Sequence, residues 1–340
     1  MKKVLLFLSI LLPLVLFLGC GVNNNDKTGQ QPTPEVLKIK DYYPIKDNTK
    51  YVYQGKGNEY ASYTIYIDYS SEDRIQQRID NGGTEVVKVL QLKEGKLTRI
   101  FSKGEIYYRE NLLNNKSEDE EVLLMEPLEK GTTWKLKDSR VRTITNTAVD
   151  VITPVATYKA IEVTTEGQKD KTIDYYARNV GLIKSVFISG GDEISSAISK
   201  IEENVILIQK VNFYYPNMDD GKIYSISKDI GFQTNDITKK ALEEAYKETG
   251  SNNTGKVFST NTKINSLYLN KDNMVYIDLN KAFTTEMNAG ALYEEMILQS
   301  IANTFGEYYN AEKVILTIDG KLYESGHIAF KKGQYLKVKH

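Results

Sequence analysis

Short runs of period-two alternation constrain this chain more than any other feature. In Tyr63-Thr-Ile-Tyr-Ile-Asp-Tyr69, Tyr63, Ile65, Ile67 and Tyr69 fall on one side, and Thr64, Tyr66 and Asp68 on the other. That is the pattern of a half-buried strand. Tyr51-Val-Tyr53 precedes it, and similar runs follow at 85–92, 97–101, 105–108, 141–145, 160–165, 172–177 and 183–188. Asn81-Gly82-Gly83 and Glu94-Gly95 stand between runs as turns. Many short strands at regular spacing predict an antiparallel β-rich domain over residues 41–203, either a sandwich or a strongly curved sheet. The 24 tyrosines of the chain suit strands with a wet end, or else sugar stacking or a protein interface.

From residue 204 the pattern becomes α+β. Strands are read at 211–215 and 222–227, joined by an Asp219-Asp220-Gly221 turn. A helix follows over 236–249, with Asp236 as its cap and Gly250 as its stop. Strands at 264–269 and 274–279 form a hairpin, and a long helix is predicted over 289–305. Its broad apolar face, including Met296, Ile297, Ile301 and Phe305, predicts burial against a sheet. The last clear strand is 313–318, ended by Asp319-Gly320. The expected organisation is a small α+β domain over 204–332, two helices packed on a sheet, and a tail at 333–340.

The N-terminus carries an address. Lys2 and Lys3 precede a run from Val4 to Leu18 that is apolar except for Ser9 and Pro13. The run is shorter than the roughly 20 residues of a spanning helix. Leu18-Gly19-Cys20 then resembles the lipobox of bacterial lipoproteins. The resemblance implies cleavage of a signal peptide at 1–19, acylation of the Cys20 thiol, and anchoring at the extracytoplasmic face of the membrane. The Asn-, Gln-, Gly- and Pro-containing stretch at 21–40 would then be a flexible tether.

Val211-Asn-Phe-Tyr-Tyr-Pro-Asn217, Leu267-Tyr-Leu269, Val275-Tyr-Ile-Asp-Leu279, Ile297-Leu-Gln-Ser-Ile-Ala-Asn-Thr304 and Lys313-Val-Ile-Leu-Thr-Ile-Asp-Gly320 together resemble the sporulation and spore germination (GerMN) domain of GerM-type proteins. Known GerM proteins are lipoproteins, in line with Cys20. The resemblance implies a non-catalytic interaction or assembly factor in sporulation or germination, with protein partners in the cell envelope. Tyr268 and Tyr276, outward on the last hairpin, are the candidate partner surface.

Composition narrows the chemistry. With 44 Lys and Arg against 45 Asp and Glu, the chain has no electrostatic footprint for nucleic acid. One cysteine and two histidines exclude an intrachain disulfide and a Cys/His zinc site, and no cofactor is implied. No phosphate-loop or dinucleotide glycine pattern occurs. The acidic run 117–121 reads as a solvated loop. Carboxylates at Glu294, Glu295 and Asp278, and the histidines His327 and His340, are the weak catalytic candidates, and no catalytic residue is assigned. Peptidoglycan stays open as a partner. The alternatives are a cell-wall hydrolase or carbohydrate-binding protein, and a solute-binding lipoprotein of a transporter. The shortage of helices speaks against the last.

Overall fold

The computed structural model describes residues 36–116, 120–248 and 253–339. A short helix, α1 (Ile39–Tyr42), leads into a run of strands. These are β1 (Lys50–Lys56), β2 (Tyr63–Ser70), β3 (Arg74–Asp80), β4 (Glu85–Lys93), β5 (Lys96–Gly104), β6 (Glu121–Met125), β7 (Thr133–Lys135), β8 (Val141–Ile152), β9 (Thr157–Glu166), β10 (Asp170–Ala177), β11 (Gly181–Ser189) and β12 (Asp192–Glu202). Among the described residues they form one 12-stranded sheet in the order 6-5-4-3-2-1-12-11-10-9-8-7, antiparallel throughout.

The sheet curls until its edges meet. Trp134 Nε1 on β7 donates to the Val122 carbonyl on β6 at 3.0 Å. Arg142 Nη1 donates to the same carbonyl at 2.7 Å, and its Nη2 pairs with Glu121 at 2.7 Å. Leu97 and Leu124 from one end share a core cluster with Ile144, Ile161 and Val163 from the other. A second inner cluster holds Tyr51, Tyr53, Ile65, Ile67, Val151 and Ile183. Of the two architectures compatible with the alternation, the curved sheet is the one adopted, as a near-closed barrel.

The remaining elements are β13 (Leu207–Asn217), β14 (Lys222–Phe232), α2 (Thr238–Lys247), β15 (Ile264–Leu269), β16 (Val275–Leu279), α3 (Ala282–Thr285), α4 (Ala291–Tyr309), β17 (Lys313–Ile318), β18 (Lys321–Leu322) and β19 (Leu336–Lys337). The hairpin β13–β14 forms a two-stranded sheet. β15 and β16 are antiparallel, and β16 runs parallel to β17 across the α4 crossover. Val275, Ile277, Val314 and Leu316 join Ile297, Ile301 and Phe305 of α4 in one core. Tyr69, Val87, Val89 and Ile100, from the outer face of β2–β5, belong to that same core. The chain from Leu37 onward is one compact unit.

Several local expectations are corrected. Tyr69 does not share a face with Ile65 and Ile67. A β-bulge between Ile67 and Tyr69 turns it outward, where its hydroxyl meets Thr238 Oγ1 at 2.9 Å. Residues 105–108 are not a strand, because Arg78 takes the Ile106 and Tyr108 carbonyls at 2.7 and 2.8 Å. Asp236 does not cap α2. Its carboxylate accepts from the Gln233 N–H at 2.7 Å, and the cap position is Ile237. The long helix passes Phe305 and ends at Asn310 in a left-handed cap. Gly306 lies inside it, where an added Cβ would stand 2.1 Å from Val338 Cγ2. Glu121 of the acidic run is not in a loop but begins β6, paired to Arg99 and Arg142. Residues 117–119 and the Gly250 stop lie outside the described residues.

Candidate interaction surface

Cys20, the signal segment at 1–19 and the tether up to residue 35 lie outside the described residues, whereas the end of the expected tether is structured: Ile39 and Lys40 begin α1, and Ile39 is buried in the core. Among the described residues no helix is long and apolar enough to cross a membrane.

Alternation in β16, β17 and β15 beyond its bulge at Ile264–Ser266 divides their side chains between two faces. One set faces α4. The other, including Tyr268, Tyr276, Asp278, Ile315 and Thr317, faces away from it. Tyr268 and Tyr276 are cross-strand partners. Their rings stack at 5.6 Å with an interplanar angle of 13°, and Tyr268 is 40% exposed. Such pairs bind a hairpin together while keeping one ring face in water. The Tyr276 hydroxyl donates to Asp272 at 2.9 Å, and this carboxylate holds the phenol above its ordinary pKa.

Ile315 is the register partner of Tyr276. Beyond it, Leu322 is exposed, and Tyr335 carries the Lys313 ammonium 4.7 Å from its ring centroid. The outer face of this small sheet thus carries Tyr268, Tyr276 and Ile315 alongside Lys313, Asp278 and Thr317. β15 is its edge strand, and α2 covers the start of that edge: Glu243 accepts from the Ile264 N–H at 2.7 Å and Lys239 Nζ donates to the Asn265 carbonyl. Tyr268 and Tyr276 are brought together as the sequence parity requires. Leu322 and Tyr335 escaped sequence reading because β18 and β19 are two residues each, too short to show a period.

The carboxylates weighed for catalysis have structural partners. Asp278 accepts from Thr317 Oγ1 (2.6 Å), the Gly320 N–H (2.8 Å) and Asn265 Nδ2 (2.9 Å). Burial alone would raise its pKa, but these donors outweigh burial and lower it. The result fastens the Asp319-Gly320 turn to the sheet. Glu294 is buried and accepts from the Tyr323 hydroxyl (2.7 Å) and Ser325 Oγ (2.6 Å). Burial first, then this carboxylate, drives the Tyr323 phenol far above its usual range. Glu295 and His327 are exposed, and His340 lies outside the described residues. Among the described residues no group of three or more His, Cys, Asp and Glu side chains is placed to hold a metal ion.

Residues 212–324 match the Germane family, described as sporulation and spore germination. The Germane-matched region runs from β13 to just past β18 and includes the tyrosine pair. A comparison with curated proteins finds no match. Among solved structures, the first GerMN domain of the sporulation protein GerM from Bacillus subtilis is 23% identical, at a TM-score of 0.26, covering 33% of this chain and 84% of that one. The tandem GerMN domains of the same protein are 17% identical at a TM-score of 0.28, covering 37% of this chain and 45% of that one. A protein with a YmcC-like fold from Bacteroides fragilis NCTC 9343 is 12% identical at 0.30, covering 47% of this chain and 98% of that one.

Proposed function

We propose that this chain is an extracytoplasmic, lipid-anchored protein that serves sporulation or spore germination by binding envelope proteins rather than by catalysis. The Germane match over residues 212–324 carries the reading. Leu18-Gly19-Cys20 behind a short apolar run supports the anchor and the location. The exposed Tyr268–Tyr276 stack on the outer face of β15–β17 supports a binding role. In this reading the Cys20 anchor holds the protein at the membrane and the Tyr268–Tyr276 face meets the partner.

Crosslinking in sporulating cells tests it. The wild-type chain is expected to capture envelope proteins, and a Tyr268→Ala, Tyr276→Ala double variant to capture far less of them at equal abundance. Recovery of no stable partner would sink the binding role. Replacing Cys20 with Ala is expected to move the protein from the membrane fraction to the medium. Clearing of peptidoglycan by the purified protein in a zymogram would favour the hydrolase alternative instead.

A further inference from the structure

The inside of the barrel is not uniformly apolar. A cavity of about 470 Å³ opens there, bordered by Ile65 and Leu90 of the inner clusters and by the exposed Tyr60. That volume is in the range of small-molecule sites, roughly 300–1,000 Å³. Its wall carries four cations, Lys88, Arg99, Arg140 and Arg142, and two carboxylates, Glu121 and Asp174.

Both carboxylates are already engaged. Glu121 lies between Arg99 Nη2 at 3.0 Å and Arg142 Nη2 at 2.7 Å, and Asp174 accepts from Ser185 Oγ at 2.6 Å. Arg140 pairs with Asp138 at 2.7 Å. Lys88 differs. Among the described residues its ammonium has no ion pair and no hydrogen bond. The charges that act on it are Arg99, Glu121 and Asp174, all in the same wall, so its charged end lies in the cavity. Desolvation is the largest influence on this amine and lowers its pKa, with Arg99 acting in the same direction and Glu121 and Asp174 against it.

Lys88 is half-buried and its ammonium stays accessible from the cavity, so an anion bound there would exchange water for a charge-assisted hydrogen bond. One ammonium without a direct partner calls for a monoanion, so a carboxylate suits it better than phosphate. Around Lys88 the wall offers amides and hydroxyls from Gln77, Asn81 and Thr172. It also offers the partly buried Tyr43 and Tyr63, the latter stacked by one face on Tyr53 at 4.5 Å. Tyrosine faces beside hydrogen-bonding groups suit a hydroxylated ring rather than a hydrocarbon chain.

We propose that the barrel cavity binds an acidic sugar, its carboxylate on Lys88 and its ring beside Tyr43 and Tyr63. The inference stands apart from the sporulation reading, since it uses none of the Germane-matched residues.

Isothermal titration calorimetry on the full chain in detergent tests it with three probes. These are N-acetylmuramic acid, N-acetylglucosamine (which lacks the carboxylate) and inorganic phosphate. N-acetylmuramic acid is expected to bind about 10- to 100-fold more tightly than N-acetylglucosamine, the worth of a charge-assisted hydrogen bond. Lys88→Met is expected to abolish that difference with little change in melting temperature, because among the described residues the ammonium makes no hydrogen bond or ion pair. Asp174→Asn, which removes a repelling carboxylate, is expected to bind at least as tightly as wild type. Absence of N-acetylmuramic acid binding at millimolar concentration overturns the proposal. So does equal binding of phosphate, or an unchanged affinity in Lys88→Met.

Discussion

The two halves of the barrel sheet have different neighbours. Strands β2–β5 are covered on both faces, by the inner clusters and by the core they share with β13–β17 and α4. Strands β8–β12 contribute no residue to that shared core. The difference is written in the burial patterns. β2 has five consecutive buried residues, Ile65 to Tyr69, whereas buried and accessible positions interleave along β8. Alternation thus reports how many faces are covered, not merely that a strand is present. The covered half must also bury polar groups, and it does so as a network. Arg109 is fully buried, and its guanidinium donates to the carbonyls of Asp68 (2.7 Å), Gln233 (3.0 Å) and Asp236 (2.5 Å) and to the Tyr69 hydroxyl (2.8 Å). Arg78 pairs with Asp68 at 2.9 Å and with Glu85 at 2.5 Å.

This contrast is open to direct attack, beginning where the effect is largest. Arg109→Ala is expected to cost about 3–5 kcal/mol in chemical denaturation, because it leaves the Asp68, Gln233 and Asp236 carbonyls without this buried donor. Loss of less than about 1 kcal/mol would mean that the covered half does not depend on this seam. Ile100→Ala, on the covered outer face of β5, is expected to cost about 2–5 kcal/mol by cavity formation.

Glu110 gives a pH test of the same seam. Burial raises its carboxyl to about 7, with Lys103 pulling the other way. A carboxyl raised in the folded state favours the protonated form, so its stabilisation is full below the unfolded value and is lost as pH rises. Stability should therefore fall between about pH 4.5 and 7, by on the order of 1–2 kcal/mol after solvent screening. Glu110→Gln should flatten that slope in melting curves. The smallest effect belongs to the other half. Ile152, 78% exposed on β8, should tolerate replacement by Ala within about 0.5 kcal/mol. An effect there as large as at Ile100 would erase the distinction between the halves.

The parts that were legible in the sequence are those with one covered face and a clean period. β15, β16 and β17 were read to within a residue, and the Tyr268–Tyr276 pair followed from their parity. β3 was missed because Gln76, Gln77 and Arg78 are all buried, the first and last by the seam network and Gln77 by Tyr43. Polar residues in a doubly covered strand look like a loop. The cavity was illegible for a related reason. Lys88, Arg99, Arg142 and Asp174 come from four strands that only barrel closure brings together.

By itself the sequence determined the strand-rich first region, the α+β ending and the parity of most strands, because local periodicity depends only on neighbours along the chain. The tertiary structure alone decided that the long sheet curls until β6 meets β7, and that a bulge at Asp68 sends Tyr69 into a distant core. It also decided that the arginine-free stretch beyond Arg178 is held through Arg109. Those outcomes depend on which faces find a partner across more than a hundred residues, and no local pattern carries that information.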